Sequence, residues 1–180
     1  MPALEDHLKR LDGMDDQDAA KNFFDIKVAD IAMGSGHFLV AAIDIIEIGL
    51  ENYRNQRLLP EVSAELQKLR TASKKILGEF GEQYEIEDAQ LIRRLIAKRC
   101  IYGVDLNPMA VELARLSIWI HTFVPGLPLS FLDRNLVIGD SLNGIGTLDE
   151  IKKVIDETDN DGTTNLKLFP IDTESILGDA

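Results

Sequence analysis

Short apolar runs alternate with long stretches of helical periodicity along this chain. Ile26, Val28 and Ile31 lie in a run from Asp25 to Ile31 that meets glycines, the pattern of a buried strand. From Phe38 the apolar positions thicken to helical density through Leu39, Ile43, Ile46 and Leu50, which predicts a helix from about His37 to Asn55. The charged stretch from Glu61 to Arg99 holds no strand pattern. Leu66, Leu69, Ser73, Ile76 and Leu77 recur at helical spacing, then Leu91, Ile92, Leu95 and Ile96, with Gly78 and Gly81 between them. The reading is a helical hairpin, about 60–99, inserted before the second strand. Packing against the sheet's edge is its ordinary role, and a partner- or DNA-facing role is the alternative.

Cys100 to Val104 reads as that second strand. Pro108 suits the first helical position, where its missing N–H costs nothing, and Asn107 suits the cap before it. The helix from Pro108 to about Thr122 is apolar on nearly every side, so it is expected to be largely buried. Leu136 to Asp140 reads as a third strand and Leu148 to Ile155 as a further helix. Residues 1–24 are polar apart from Leu4, His7, Leu8 and Leu11, a helix or a mobile arm, and 159–180 are weakly patterned. The central unit is therefore 25–158. Strand, helix, insert, strand, helix, strand, helix is the order of an α/β parallel sheet with helices on its faces. Ligands of such sheets bind beyond the carboxyl ends of the strands, where this chain places Asp30, Asp105 and Asp140.

Composition narrows the function classes. A chain of 180 residues, 45% hydrophobic and 28% charged, reads as one soluble globular domain. A net charge of -12 argues against a nucleic-acid platform, since phosphate binding runs on Lys and Arg. Any DNA contact is therefore expected to come from segments outside this chain. Cys100 is the single cysteine, which excludes an internal disulfide and a Cys-based zinc site, and no metal site is expected. Nothing in the first residues reads as a signal peptide and no apolar run approaches bilayer-spanning length, so no membrane association and a cytoplasmic location are expected.

The loop Gly34-Ser35-Gly36 admits backbone shapes and close ligand approach that side chains would block. As a dinucleotide fingerprint it is incomplete, because Leu39 stands where the third glycine belongs. On its own it is equally a tight strand-to-helix turn. Asp105 at the end of the second strand can accept both hydroxyls of a ribose, with Asn107 assisting, or can cap the Pro108 helix. Asp140 can accept from an adenine amino group, with Leu142 or Ile138 covering the ring, or can serve the Gly139-Asp140-Ser141 turn. His37 is either a ligand contact or an exposed residue at a helix start.

Three segments in order resemble the cofactor motifs of adenine-N6 DNA methyltransferases, and the likeness covers roughly residues 28–146. Asp30 to Phe38 resembles the D-P-A-x-G-S-G-x-F motif. Ile101 to Val111 (Ile-Tyr-Gly-Val-Asp-Leu-Asn-Pro-Met-Ala-Val) is similar to the family's next motif. Phe131 to Leu136 followed by Gly139-Asp140-Ser141-Leu142 is similar to the third. The nearest likeness is to large restriction–modification or phage-defence methyltransferases, which carry a helical insert here. The resemblance implies a Rossmann-like fold binding S-adenosyl-L-methionine. It implies that Asp30 and the Gly34-Ser35-Gly36 loop hold the methionine portion, that Asp105 binds the ribose with Asn107 behind it, and that Ala32 and Phe38 belong to the cofactor site, the role of Phe38 being open. Leu106 would lie beside the adenine, with Asp140, Ser141 and Leu142 at its amino edge. Ile31 replaces the family's usual proline and Met33 its frequent cysteine.

The family's N-P-P-aromatic tetrapeptide is absent: the chain's Asn107-Pro108 is followed by Met109. An exocyclic adenine amine is a poor nucleophile, and that tetrapeptide accepts its hydrogens and stacks on the flipped base. The resemblance therefore implies the cofactor-binding part of a methyltransferase, with no catalytic residue in this chain. Weak or absent cofactor binding and no methyl transfer by the chain alone are expected. The alternatives are a non-catalytic cofactor-binding scaffold module, or a methyltransferase acting on RNA, protein or a small molecule. A sheet cut short in this way exposes a strand edge that a second copy could cover, giving a homo-oligomer.

Overall fold

The computed structural model describes residues 1–78, 85–128 and 132–142. The sequence-derived helix at Leu148–Ile155 and the tail at 159–180 lie outside them, as do Gly81 and Phe131. The order of elements is α1 (Pro2–Asp12), α2 (Asp16–Asn22), β1 (Val28–Asp30), α3 (His37–Gln56), α4 (Pro60–Leu77), α5 (Asp88–Arg99), β2 (Ile101–Asp105), α6 (Pro108–His121), α7 (Leu132–Asn135) and β3 (Leu136–Ile138). This is a mixed α/β chain with a small parallel sheet in the order β1-β2-β3.

The register pairs Val28 with Ile101, Asp30 with Gly103, and Asp105 with Ile138. Side chains alternate across the sheet, so Val28, Ile101 and Leu136 are buried while Ala29 and Tyr102 are exposed. The buried face packs under α3, whose Leu39, Ile43, Ile46 and Leu50 are fully buried. The amino-terminal residues form two helices that join this core. Leu4 lies against Gly49 of α3, and Leu11, Ala19 and Phe23 are fully buried. Arg57, just past α3, holds the joint between α1 and α2 by donating to the carbonyls of Leu11 (2.8 Å) and Met14 (2.7 Å).

The inserted hairpin is present as α4 and α5, but α5 packs chiefly on α3 and not on the sheet's edge. Ion pairs fix that packing. Arg93 donates twice to the buried Glu47 of α3, at 2.6 and 3.0 Å, and Asp88 receives both Arg54 of α3 and Arg70 of α4. Asn135 ties the start of β3 to its neighbours by donating to the carbonyls of Ala97, Lys98 and Ile101. Two of the orphan carbonyls at the end of α5 are satisfied in this way, and Lys27 donates to a third, that of Arg99.

The expected burial of the Pro108 helix does not hold. Only Val111, Ala114 and Ile118 of α6 are buried, while Met109, Leu113, Leu116, Trp119 and Ile120 are exposed. Its inner stripe meets α3 and the sheet, and among the described residues its outer stripe faces solvent. The first strand is also shorter than its pattern, because the backbone turns at Ile31, which is 60% exposed. Among the described residues no helix is long and apolar enough to cross a membrane.

Candidate functional site at the carboxyl ends of the strands

Each of the three strands delivers an aspartate that folds the chain back on itself in the same way. Asp30 Oδ1 accepts from the amide of Ala32 (3.1 Å), Asp105 Oδ1 from Asn107 (2.9 Å) and Asp140 Oδ1 from Leu142 (3.0 Å). Short polar side chains favour this turn because the carboxylate reaches the N–H two residues on. Asp30 and Asp105 are the last residues of β1 and β2, while Asp140 sits two residues past β3.

The glycine loop is built onto the second strand. The Met33 amide donates to the Val104 carbonyl (3.1 Å), and the Gly34 amide donates to Asp105 Oδ2 (2.8 Å). The Gly36 amide then closes the turn on the Met33 carbonyl (2.9 Å). Gly34 and Gly36 both have positive φ, at 54° and 81°, a region that disfavours any side chain. At Gly36 a Cβ would also press on Ala114 of α6 (3.1 Å), so this glycine lets two helices approach. Gly36 caps α3 without a side chain, so no side-chain oxygen covers the first amides of that 20-residue helix. Such a helix start attracts anionic groups.

Asp105 joins the whole site. Its Oδ2 holds the β1 loop, its Oδ1 holds its own turn, and its carbonyl accepts from the Gly139 amide (3.0 Å) after β3. The alternative in which Asp105 caps the following helix is not what the structure shows. Asn107 is the cap, accepting from the Met109 amide at 3.0 Å on one lone pair of its Oδ1. Each carboxylate oxygen of Asp105 has a second lone pair, so ribose hydroxyls remain compatible with both backbone bonds.

Around these polar groups stands an exposed apolar rim. Phe38 lies in the first turn of α3, Leu106 follows Asp105 and is 70% exposed, and Leu142 lies two residues past Asp140 and is 87% exposed. Ser141 is exposed between them. Ser35 Oγ and His37 Nδ1 lie 2.8 Å apart, so the exposed His37 ring is oriented by the loop. Among the described residues no group of three His, Cys, Asp or Glu side chains comes close enough to hold a metal ion, so the three aspartates do not form a metal cluster.

No family model, curated protein or solved structure matches this chain. The site therefore rests on its own geometry. The sequence-derived residues Asp30, Ala32, Gly34, Ser35, Gly36 and Phe38 meet Asp105, Leu106 and Asn107 through the Gly34–Asp105 bond. Asp140, Ser141 and Leu142 join through Gly139. Sequence reasoning missed what supports the loop from below. Met33 is buried against Gly103 of β2, where a Cβ would collide with its Sδ. A glycine in mid-strand is the signal that marks such a close approach.

Proposed function

We propose that this chain is the cofactor-binding part of an adenine-N6 DNA methyltransferase of the restriction–modification type, with S-adenosyl-L-methionine at the carboxyl ends of the strands. The Gly34–Asp105 hydrogen bond carries the reading. It places a glycine turn, an uncapped helix start and a strand-terminal carboxylate in one constellation, the needs of an amino-acid nucleoside. The start of α3 suits the methionine carboxylate, and Asp30 suits its ammonium group. Asp105 accepts the ribose hydroxyls, a carboxylate doing what two neutral acceptors would do less strongly. Leu106 and Leu142 cover the adenine faces, and Asp140 accepts from its amino group.

In this reading the chain's own residues bind and orient the methyl donor and perform no proton transfer. The base-holding tetrapeptide and the DNA-contacting surface come from outside residues 1–180, consistent with the net charge of -12. Weak binding by the chain alone is expected, so the test is a nuclear magnetic resonance titration with S-adenosyl-L-methionine, which detects weak complexes. Amides of Gly34, Ser35, Gly36 and Leu106 are expected to shift in the wild type. Asp105→Asn loses the charge and one of the two oxygens that accept from the Gly34 and Asn107 amides, and it is expected to weaken the response at least tenfold. Equal responses in the two proteins would remove Asp105 from the ribose, and no response in the wild type would overturn the reading.

A further inference from the structure

The opposite end of the sheet carries a basic cluster, alongside Asp25 and Asp133 at the starts of β1 and β3. Where the carboxyl ends present Asp30, Asp105 and Asp140, the amino ends of β2 and β3 present Lys98, Arg99 and Arg134. Beside them, between the inserted hairpin and α7, lies a cavity of about 590 Å³. Its polar wall holds Arg94, Lys98 and Arg134, and its apolar wall includes Leu69, Leu95 and Leu127. That volume is in the range of a nucleotide-sized ligand.

Three features make this more than a basic surface. Arg94 is 7% exposed and is anchored by donating to the Pro128 carbonyl, so one cation is held in place inside the wall. The carboxylate lining the cavity, Glu65, is already held by both terminal nitrogens of Arg99. Among the described residues Lys98 and Arg134 have no carboxylate partner, although the chain carries 31 acidic residues against 19 Lys and Arg. In so acidic a protein, two exposed cations left without a carboxylate beside a buried third are an arrangement suited to an incoming anion. The two charges of Lys98 and Arg134, beside the anchored Arg94, suit a phosphate or diphosphate better than a single carboxylate. Leu69, Leu95 and Leu127 then offer contact for an apolar or flat body.

We propose that this cavity is a second ligand site, taking a phosphorylated small molecule whose phosphate meets Arg94, Lys98 and Arg134 and whose body lies on the leucines. It is independent of the strand-end site, and neither reading depends on the other.

Calorimetric titration of the 180-residue chain with adenosine triphosphate, adenosine and inorganic pyrophosphate tests it. The triphosphate is expected to bind, adenosine is expected to bind the wild type no more tightly than Lys98→Ala/Arg134→Ala, and pyrophosphate is expected to bind at least tenfold more weakly than the triphosphate. The double variant Lys98→Ala/Arg134→Ala changes exposed side chains and should keep the wild-type thermal midpoint while losing at least tenfold in affinity. Any amide shifts of Gly34 to Gly36 on adding the triphosphate should be the same in the wild type and the double variant, which separates this site from the other. Absence of triphosphate binding, or affinity unchanged in the double variant, would overturn the site. Pyrophosphate binding as tightly as the triphosphate would leave only a charge patch. A short DNA duplex displacing the triphosphate through the same two side chains would assign the cations to a nucleic-acid backbone instead.

Discussion

Gly103 lies mid-strand in β2, where a side chain would ordinarily help to hold the sheet. Met33 occupies the space its Cβ would need, and Leu39 Cδ1 and Leu136 Cδ2 crowd the same point at 3.0 and 3.1 Å. The Met33 backbone is bonded to Val104, and the next amide to Asp105, so the thioether beneath the loop and the hydrogen bonds above it act on one turn. Gly103→Ala is expected to destabilise the fold by about 1–3 kcal/mol, the usual range for overpacking. Met33→Ala in the same protein should recover part of that loss, because neighbours in contact couple. Urea denaturation of the two variants and the double variant measures both effects, and Gly103→Ala as stable as wild type would mean that Met33 is not packed there. At this scale much was legible from the residues alone. The aspartates at the strand ends carry a local turn chemistry, and the glycines mark places where side chains do not fit. The Gly34–Asp105 bond was not legible, because 71 residues separate its partners and no local pattern encodes it.

The elements were legible where one period persisted. α3, α4, α5 and α6 fall within a few residues of the stretches their apolar spacing marks, and the insert separates β1 from β2 without disturbing their pairing. What a helix packs against is a different matter, because periodicity reports the presence of an apolar face and not its neighbour. The hairpin was expected at the sheet's edge, yet α5 lies on α3, held by charged side chains that no hydrophobic pattern marks. α6 was expected to be largely buried, yet Met109, Leu113, Leu116, Trp119 and Ile120 are exposed. The clamp between α3 and α5 gives the prediction at this scale. Glu47 is 6% exposed and receives Arg93 twice. Glu47→Ala leaves Arg93 partly buried, with Asp44 at 4.0 Å and Glu51 near enough to act on its charge. The expected cost is about 2–4 kcal/mol, somewhat below a fully buried pair because Arg93 reaches solvent. Asp88→Asn should cost less, about 1–2 kcal/mol, because the amide still accepts hydrogen bonds from Arg54 or Arg70. Thermal and urea unfolding rank the two, and Asp88→Asn costing more than Glu47→Ala would contradict the assignment of Glu47–Arg93 as the stronger contact.

Over the whole molecule these contacts meet in the dependence of stability on pH, which two groups push in the same direction. Burial holds the His7 imidazole below its usual 6.5, although its bond to the Phe23 carbonyl works the other way. The neighbours fit a neutral ring: Arg10 donates to Nδ1 (3.2 Å), which leaves Nε2–H to donate to the Phe23 carbonyl (3.3 Å). A group lowered in the folded state gives stability that is complete above its unfolded value and lost as pH falls through the folded one. Stability from His7 should therefore begin to fall near pH 6.5. Asp88 follows the same sign lower down. Burial alone would raise its carboxyl, but the hydrogen bonds from Arg54 and Arg70 bring it below 3.8, so its share is lost only in stronger acid. A net charge of -12 acts oppositely, since neutralising carboxylates on acidification relieves self-repulsion. The raw profile mixes these effects, and a difference profile separates them. His7→Gln keeps a donor for the Phe23 carbonyl and an acceptor for Arg10 and cannot titrate. Between about pH 7.5 and about pH 5.5 the stability of wild type minus that of His7→Gln should fall, while the general charge effect cancels. Urea midpoints at several pH values measure it. A flat difference would mean that the folded protein does not hold this imidazole neutral, and a rising one would mean that it stabilises the charged ring.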